Sequence, residues 1–171
     1  MNTINYFQRL SQYNQWMNER IYIVCESLSD EIRKADRGAF FGSIHGTLNH
    51  ILLADKVWLG RFQHQPFEVQ SLDQELYPEF LELRQTRVDT DRQIEAWVNF
   101  LTDEQLAAPF KFTSIVQARE CVFPLWHLAM HFFNHQTHHR GQITTLLTQC
   151  GEEPGLTDLL CLPGAELTNN F

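Results

Sequence analysis

Phe7, Leu10, Met17, Ile21, Val24 and Leu28 recur at alternating spacings of three and four, with Asn14 on the same stripe. That period predicts a first helix that hides one face. Asn14 is then either a satisfied core amide or a group looking into a cavity. A polar connection runs from Ser29 to Gly42, and Ser43 stands at an N-cap position before a second helix that ends at about Phe62. In LNHILLADKVWLG the apolar positions run almost all the way round, so this helix is expected to be covered on several sides. Gln65-Pro66 closes it. A third helix, from about Pro78 to Leu101, carries Phe80, Leu83, Ile94, Trp97 and Leu101 on one stripe. Arg87 and Thr90 interrupt that stripe and are expected to face solvent or a cavity mouth.

Thr102 and Gln105 have the spacing of a capping box, which predicts one short further turn before Pro109. FKFTSIVQARECVF, β-branched and aromatic around a polar middle, reads as a small hairpin. Pro124 suits the first turn of a helix and Gly151 a C′ position, so a last long helix joins them. The expected fold is all-α: an antiparallel four-helix bundle with a short extra helix or hairpin between the third and fourth helices.

The 171 residues, 43% hydrophobic, fit one domain able to bury a core without staples, and no internal repeat or linker divides them. A net charge of -8, with 21 acidic against 13 basic side chains, would repel phosphate backbones, so no nucleic-acid partner is expected. MNTINYFQRLSQYNQ lacks a charged leader followed by an apolar core, and no segment reaches about 18 uncharged apolar residues. A cytoplasmic protein without a membrane partner is expected. Cys25, Cys121, Cys150 and Cys161 are scattered with no C-x-x-C pair, which suits buried thiols better than a disulfide frame or a thiolate metal site.

The chemistry is concentrated in HQTHHRGQ. Five of eight histidines, His127, His131, His135, His138 and His139, fall between Pro124 and Gly151. On a helix, an H-x-x-x-H pair can hold one metal ion with both imidazoles. The stripe through Leu128, Phe132, Ile143 and Leu146 passes through His135 and His139, which therefore point inward; His131 and His138 fall beside Asn134, Gly141 and Thr145 on a more polar face. Buried imidazoles need partners. His50, flanked by Gly46, Leu53, Ala54 and Val57, faces inward on the second helix and supplies a third donor, whereas His45 projects from nearly the opposite side. Three histidines leave a coordination position open, the form expected of a catalytic metal. Zn²⁺ or Ni²⁺ suits such a donor set.

Gln136 follows His135 where a helical zinc peptidase needs a glutamate, and there is no G-x-S-x-G elbow, phosphate loop or G-x-G-x-x-G turn. Helical geometry turns Asp55 about 140° from His50, so no carboxylate sits beside the proposed donors.

YNQWMNERI, GAFFGSIHGTLNHILLADKVWLGRF and HFFNHQTHHRGQITTLLTQCGEEPGLTDLL resemble the DinB family of damage-inducible proteins over nearly the whole chain. The resemblance implies an up-down-down-up four-helix bundle, commonly a homodimer, with one divalent metal on His50, His135 and His139. Dimerisation would also cover a second helix that is apolar on many sides. Within the wider superfamily some members are thiol-dependent S-transferases or isomerases and others are described as metal-dependent hydrolases. The expected function is thus metal activation of a low-molecular-weight thiol, with a small-molecule substrate; water is the alternative nucleophile, and a non-catalytic metal-stabilised bundle the competing class. Asn14, Asn18, Arg87 and His138 are the candidate groups behind the ligands or around the substrate.

Overall fold

The structure, a computed structural model, describes residues 3–164. Its elements are α1 (Thr3–Ser27), α2 (Asp30–Lys34), α3 (Ile44–Phe62), α4 (Phe80–Asn99), α5 (Asp103–Ala107), β1 (Pro109–Ser114), β2 (Arg119–Pro124), α6 (Leu125–Gln149) and a 3₁₀ turn, Leu159–Cys161. The chain is mostly helical, but it is not all-α. β1 and β2 form an antiparallel ladder from Pro109 opposite Pro124 to Ser114 opposite Arg119. The aromatic and β-branched run that read as a hairpin is therefore one.

The caps lie where the sequence put them. Ser43 accepts from the Gly46 N–H (2.9 Å), and Thr102 and Gln105 make both bonds of a capping box. Gly151, at φ +83°, follows α6 in the left-handed region; its N–H reaches the Thr148 carbonyl and that of Glu152 the Leu147 carbonyl, each at 3.0 Å. Two details differ. Pro124 is extended and ends β2 as the N-cap of α6, so the helix begins at Leu125 and the hairpin runs into it directly. The Ser29–Gly42 connection contains α2, too short to show a period but capped by Ser29 and charged to match its dipole.

Each of the four long helices packs on two others: α1 on α4 and α6, α3 on α6 and α4. Their apolar residues form two clusters. Met17, Ile21, Leu48, Leu52, Leu83 and Ile143 belong to one, and Phe7, Phe62, Ile94, Trp97, Phe132 and Phe133 to the other. On every long helix a buried polar group sits between the two. α1 supplies Asn14 and Asn18, α3 Asp55, α4 Arg87 and Asp91, and α6 Gln136 and Arg140. Arg87 and Thr90 are thus buried, at 2% and 1% exposure, rather than at solvent or a cavity mouth. The reason is pairing: Arg87 reaches Asp55 on α3 at 2.5 Å and, one turn along its own helix, Asp91 at 2.9 Å. Asn14 and Asn18 donate to Asp91 (3.1 and 3.0 Å), Gln136 donates to Asp55 (2.6 Å), and Arg140 donates to Asn14.

Most of α3 is covered by other elements of this chain, so its apolar circumference does not call for a second copy. No helix among the described residues is long and apolar enough to cross a membrane.

Removing one partner from a buried ion pair costs about 3–5 kcal/mol, because the remaining charge is stranded. Arg87→Met should therefore lower the unfolding free energy by about that amount in denaturant titration. Arg92→Met, at an exposed pair with Asp89, should cost less than about 1 kcal/mol. Equal effects from the two substitutions would mean that the buried layer does not hold the helices.

Candidate metal centre

Asp55 and Gln136 join the two helices that carry the inward histidines. Gln136 and Arg140 occupy the middle of the buried face of α6, together with Phe132 and Ile143. His135 and His139 flank that middle; His139 is buried and His135 half-buried. The sequence placed these two histidines on the stripe itself, because counting only apolar residues hid its polar centre. The buried face is wider than the stripe, and its flank turns both imidazoles toward α3.

There they meet His50. His50 Nε2 lies 3.3 Å from His135 Nε2, His139 Nε2 lies 3.1 Å from it, and the three donor atoms all fall within 4.8 Å of one another. Two of the rings are held from behind. The Leu72 carbonyl accepts from His50 Nδ1 at 2.8 Å, and Gln142 Oε1 accepts from His139 Nδ1 at 2.7 Å. A proton on Nδ1 leaves Nε2 as a lone pair, so these contacts fix the tautomer a metal needs. Both lone pairs face His135 Nε2, which carries at most one proton. At least one short contact is therefore lone pair against lone pair, and a cation at the centre removes the conflict. Tetrahedral zinc bonds of about 2.0–2.1 Å place donor nitrogens about 3.3 Å apart, close to the 3.3 and 3.1 Å that separate His135 Nε2 from the other two. Burial pushes His50 down to about 4 and, with repulsion from neighbouring imidazoles, His135 down to about 3; burial also lowers His139. Burial thus favours the neutral form of all three, the form a ligand must have.

Phe41 completes one wall. Its ring stacks on His50 (centroids 3.7 Å, 16° between planes) and meets His139 edge-on at 5.5 Å. Gly46 permits this approach, since a Cβ there would come within 2.2 Å of the Phe41 carbonyl oxygen. No period in the sequence marks Phe41.

His50 and His135 open onto a cavity of about 400 Å³ between α3, the first half of α6 and the hairpin. His131 is exposed, as its polar face implies, and also lines this cavity, with its ring 5.2 Å from Trp58 and 5.9 Å from His135. His127 lines it too. His138 is exposed, its ring 4.9 Å from His139, and does not line the cavity. Asn14, Asn18 and Arg87 lie in the buried polar layer instead. Asp55 is absent from the cavity lining, in keeping with its angle from His50. Trp58, Arg61 and the hairpin residues went unnoticed because only tertiary packing brings them here.

The sequence pattern of the DinB family matches residues 1–168. A curated relative, "Protein DinB" from Bacillus subtilis (strain 168), is 29% identical over 154 residues, which covers 88% of this chain and 89% of that protein.

His50→Ala, His135→Ala and His139→Ala should each reduce bound zinc or nickel from about one per chain to a small fraction, measured by elemental analysis after dialysis. His131→Ala and His138→Ala should keep the full amount. Equal loss from His131→Ala would place the ion further along the cavity.

Proposed function

The chain belongs to the DinB family, and from that premise we propose that it is a divalent-metal enzyme that activates a low-molecular-weight thiol for S-transfer to a small electrophile. His50, His135 and His139 hold the ion, zinc or nickel. The observation that carries this reading is the convergence of three imidazole donors at a cavity of a size for a small organic molecule. Bound there, a divalent ion supplies Lewis acidity, which lowers the pKa of a thiol or a water molecule.

The chain's own groups orient and enclose. Leu72 and Gln142 hold two imidazoles in the required tautomer, Phe41 covers one side, and Trp58 and Phe112 line an apolar wall that excludes water. Thiol chemistry is favoured over hydrolysis by what lines the cavity. No aspartate or glutamate is among its lining residues, and Asp55 is engaged by Arg87 and Gln136. Water needs a base more than a thiol does, since a free thiol already ionises at about pH 8.5. Hydrolysis is the second reading, favoured by His131, a cavity imidazole that can take a proton. An up-down-down-up bundle and a homodimer accompany the proposal. Family membership supports both, and the pairwise packing of the long helices supports the first.

Untagged, metal-loaded protein should accelerate conjugation of cysteine or glutathione to a chromogenic electrophile more than it accelerates hydrolysis of p-nitrophenyl esters. Chelation and His135→Ala should return the conjugation rate to the uncatalysed level, while His131→Ala retains it. Metal-dependent ester hydrolysis that ignores added thiol and disappears in His131→Ala would assign the site to a hydrolase.

A further inference from the structure

The cavity carries a charge opposite to that of the protein. The chain has a net charge of -8, yet the cavity lining includes Arg61 and Arg119 and no carboxylate. Arg61 is half-buried, with its guanidinium 4.7 Å from the Trp58 ring and 5.0 Å from the Phe112 ring. Its Nη2 donates to the Thr113 carbonyl at 3.1 Å. Arg119 Nε donates to Gln117 Oε1 at 2.7 Å. Among the described residues, neither arginine forms an ion pair with an aspartate or glutamate. Desolvation holds the pKa of Arg61 below the usual guanidinium range, with no carboxylate to push it back. The aromatic faces and the Thr113 carbonyl stabilise the Arg61 cation but do not neutralise it, so an anion entering the cavity meets a guanidinium with no carboxylate partner.

The helix geometry gives the cavity two ends. His50, Ala54, Trp58 and Arg61 all line it, at spacings that keep them on one face of α3. Eleven residues of rise separate the backbones of His50 and Arg61 by about 16 Å. Along α6, running the other way, His135, His131 and His127 line the opposite wall. At the far end the hairpin lines the cavity with Phe112, Val116 and Arg119. Imidazole donors thus occupy one end, guanidinium groups the other, and aromatic surface the space between.

On the reading of this cavity as the substrate site, we propose that it binds a small aromatic or apolar carboxylate whose anionic end is held by Arg61 and Arg119. The body of the ligand lies against Trp58 and Phe112, and its opposite end points toward the three histidines. Arginine suits this task because its planar fork matches a carboxylate with two parallel hydrogen bonds.

The test is calorimetric titration of the full, metal-loaded chain with 1-naphthylacetate and with its neutral analogue 1-naphthylacetamide. The carboxylate should bind about tenfold or more tightly than the amide, the usual advantage of a hydrogen bond to a charged partner. Arg61→Gln should erase that preference. Arg119→Gln, at an exposed residue whose replacement threatens the fold less, should reduce it. His135→Ala, which empties the metal position, should keep it; this separates the proposal from the enzymatic reading, whose failure in the conjugation assay would leave the titration unchanged. Equal affinity for the two probes, no binding of either, or a preference that survives both arginine substitutions but vanishes in His135→Ala would overturn the assignment.

Discussion

Two arginines and two aspartates meet halfway along the long helices with almost no access to water, and every one of those helices contributes to their hydrogen bonds. Apolar packing alone would tolerate small rotations of one helix against another. Charged and amide groups in a dry layer do not, because each lost bond leaves a desolvated group that costs more than the bond was worth. The layer therefore fixes rotation and register together. Its net contribution to stability is small or even negative against a well-packed apolar alternative. Its effect is to select one arrangement of the four helices.

The histidine cluster follows from that arrangement. Asp55 and Gln136 meet at 2.6 Å, and each lies close in sequence to an imidazole of the cluster: Asp55 five residues after His50, Gln136 directly after His135. Holding those two side chains together sets the distance between the helices at the height of the imidazoles. Leu72, Gln142 and Phe41 then refine the rings from behind and from the side. The hairpin adds the outer wall of the cavity, and its second strand enters α6 with no intervening loop, so its position is tied to the same helix.

The long helices, both hairpin strands and the main caps were legible in the sequence because they are local. Period, Ser43, the Thr102/Gln105 pair and Gly151 act within one or two turns of themselves. The histidine triad was legible for a related reason: an i, i+4 pair on an inward flank and a single histidine amid apolar neighbours both announce burial. Arg87 was misread as outward because its cross-helix partner, Asp55, lies on α3, and no count along α4 reveals it; Asp91, four residues on along α4 itself, was the one local sign of a paired arginine. His131 is exposed as the polarity of its face implied, but its place at the cavity was hidden because the aromatic wall beside it comes from α3. The cavity and its arginines depend on where the hairpin settles, which is a property of packing and not of spacing.

The most direct test of this account is competitive zinc titration of Gln136→Met against the parent protein. The substitution removes the Asp55–Gln136 link between the two histidine-bearing helices while leaving Asp55 paired with Arg87, so the chain should stay folded by circular dichroism. Supporting groups around a metal site typically carry about 10–100-fold in affinity, and a loss of at least about tenfold is expected here. Unchanged zinc affinity in a folded Gln136→Met protein would show that the buried layer does not set the spacing of the three histidines.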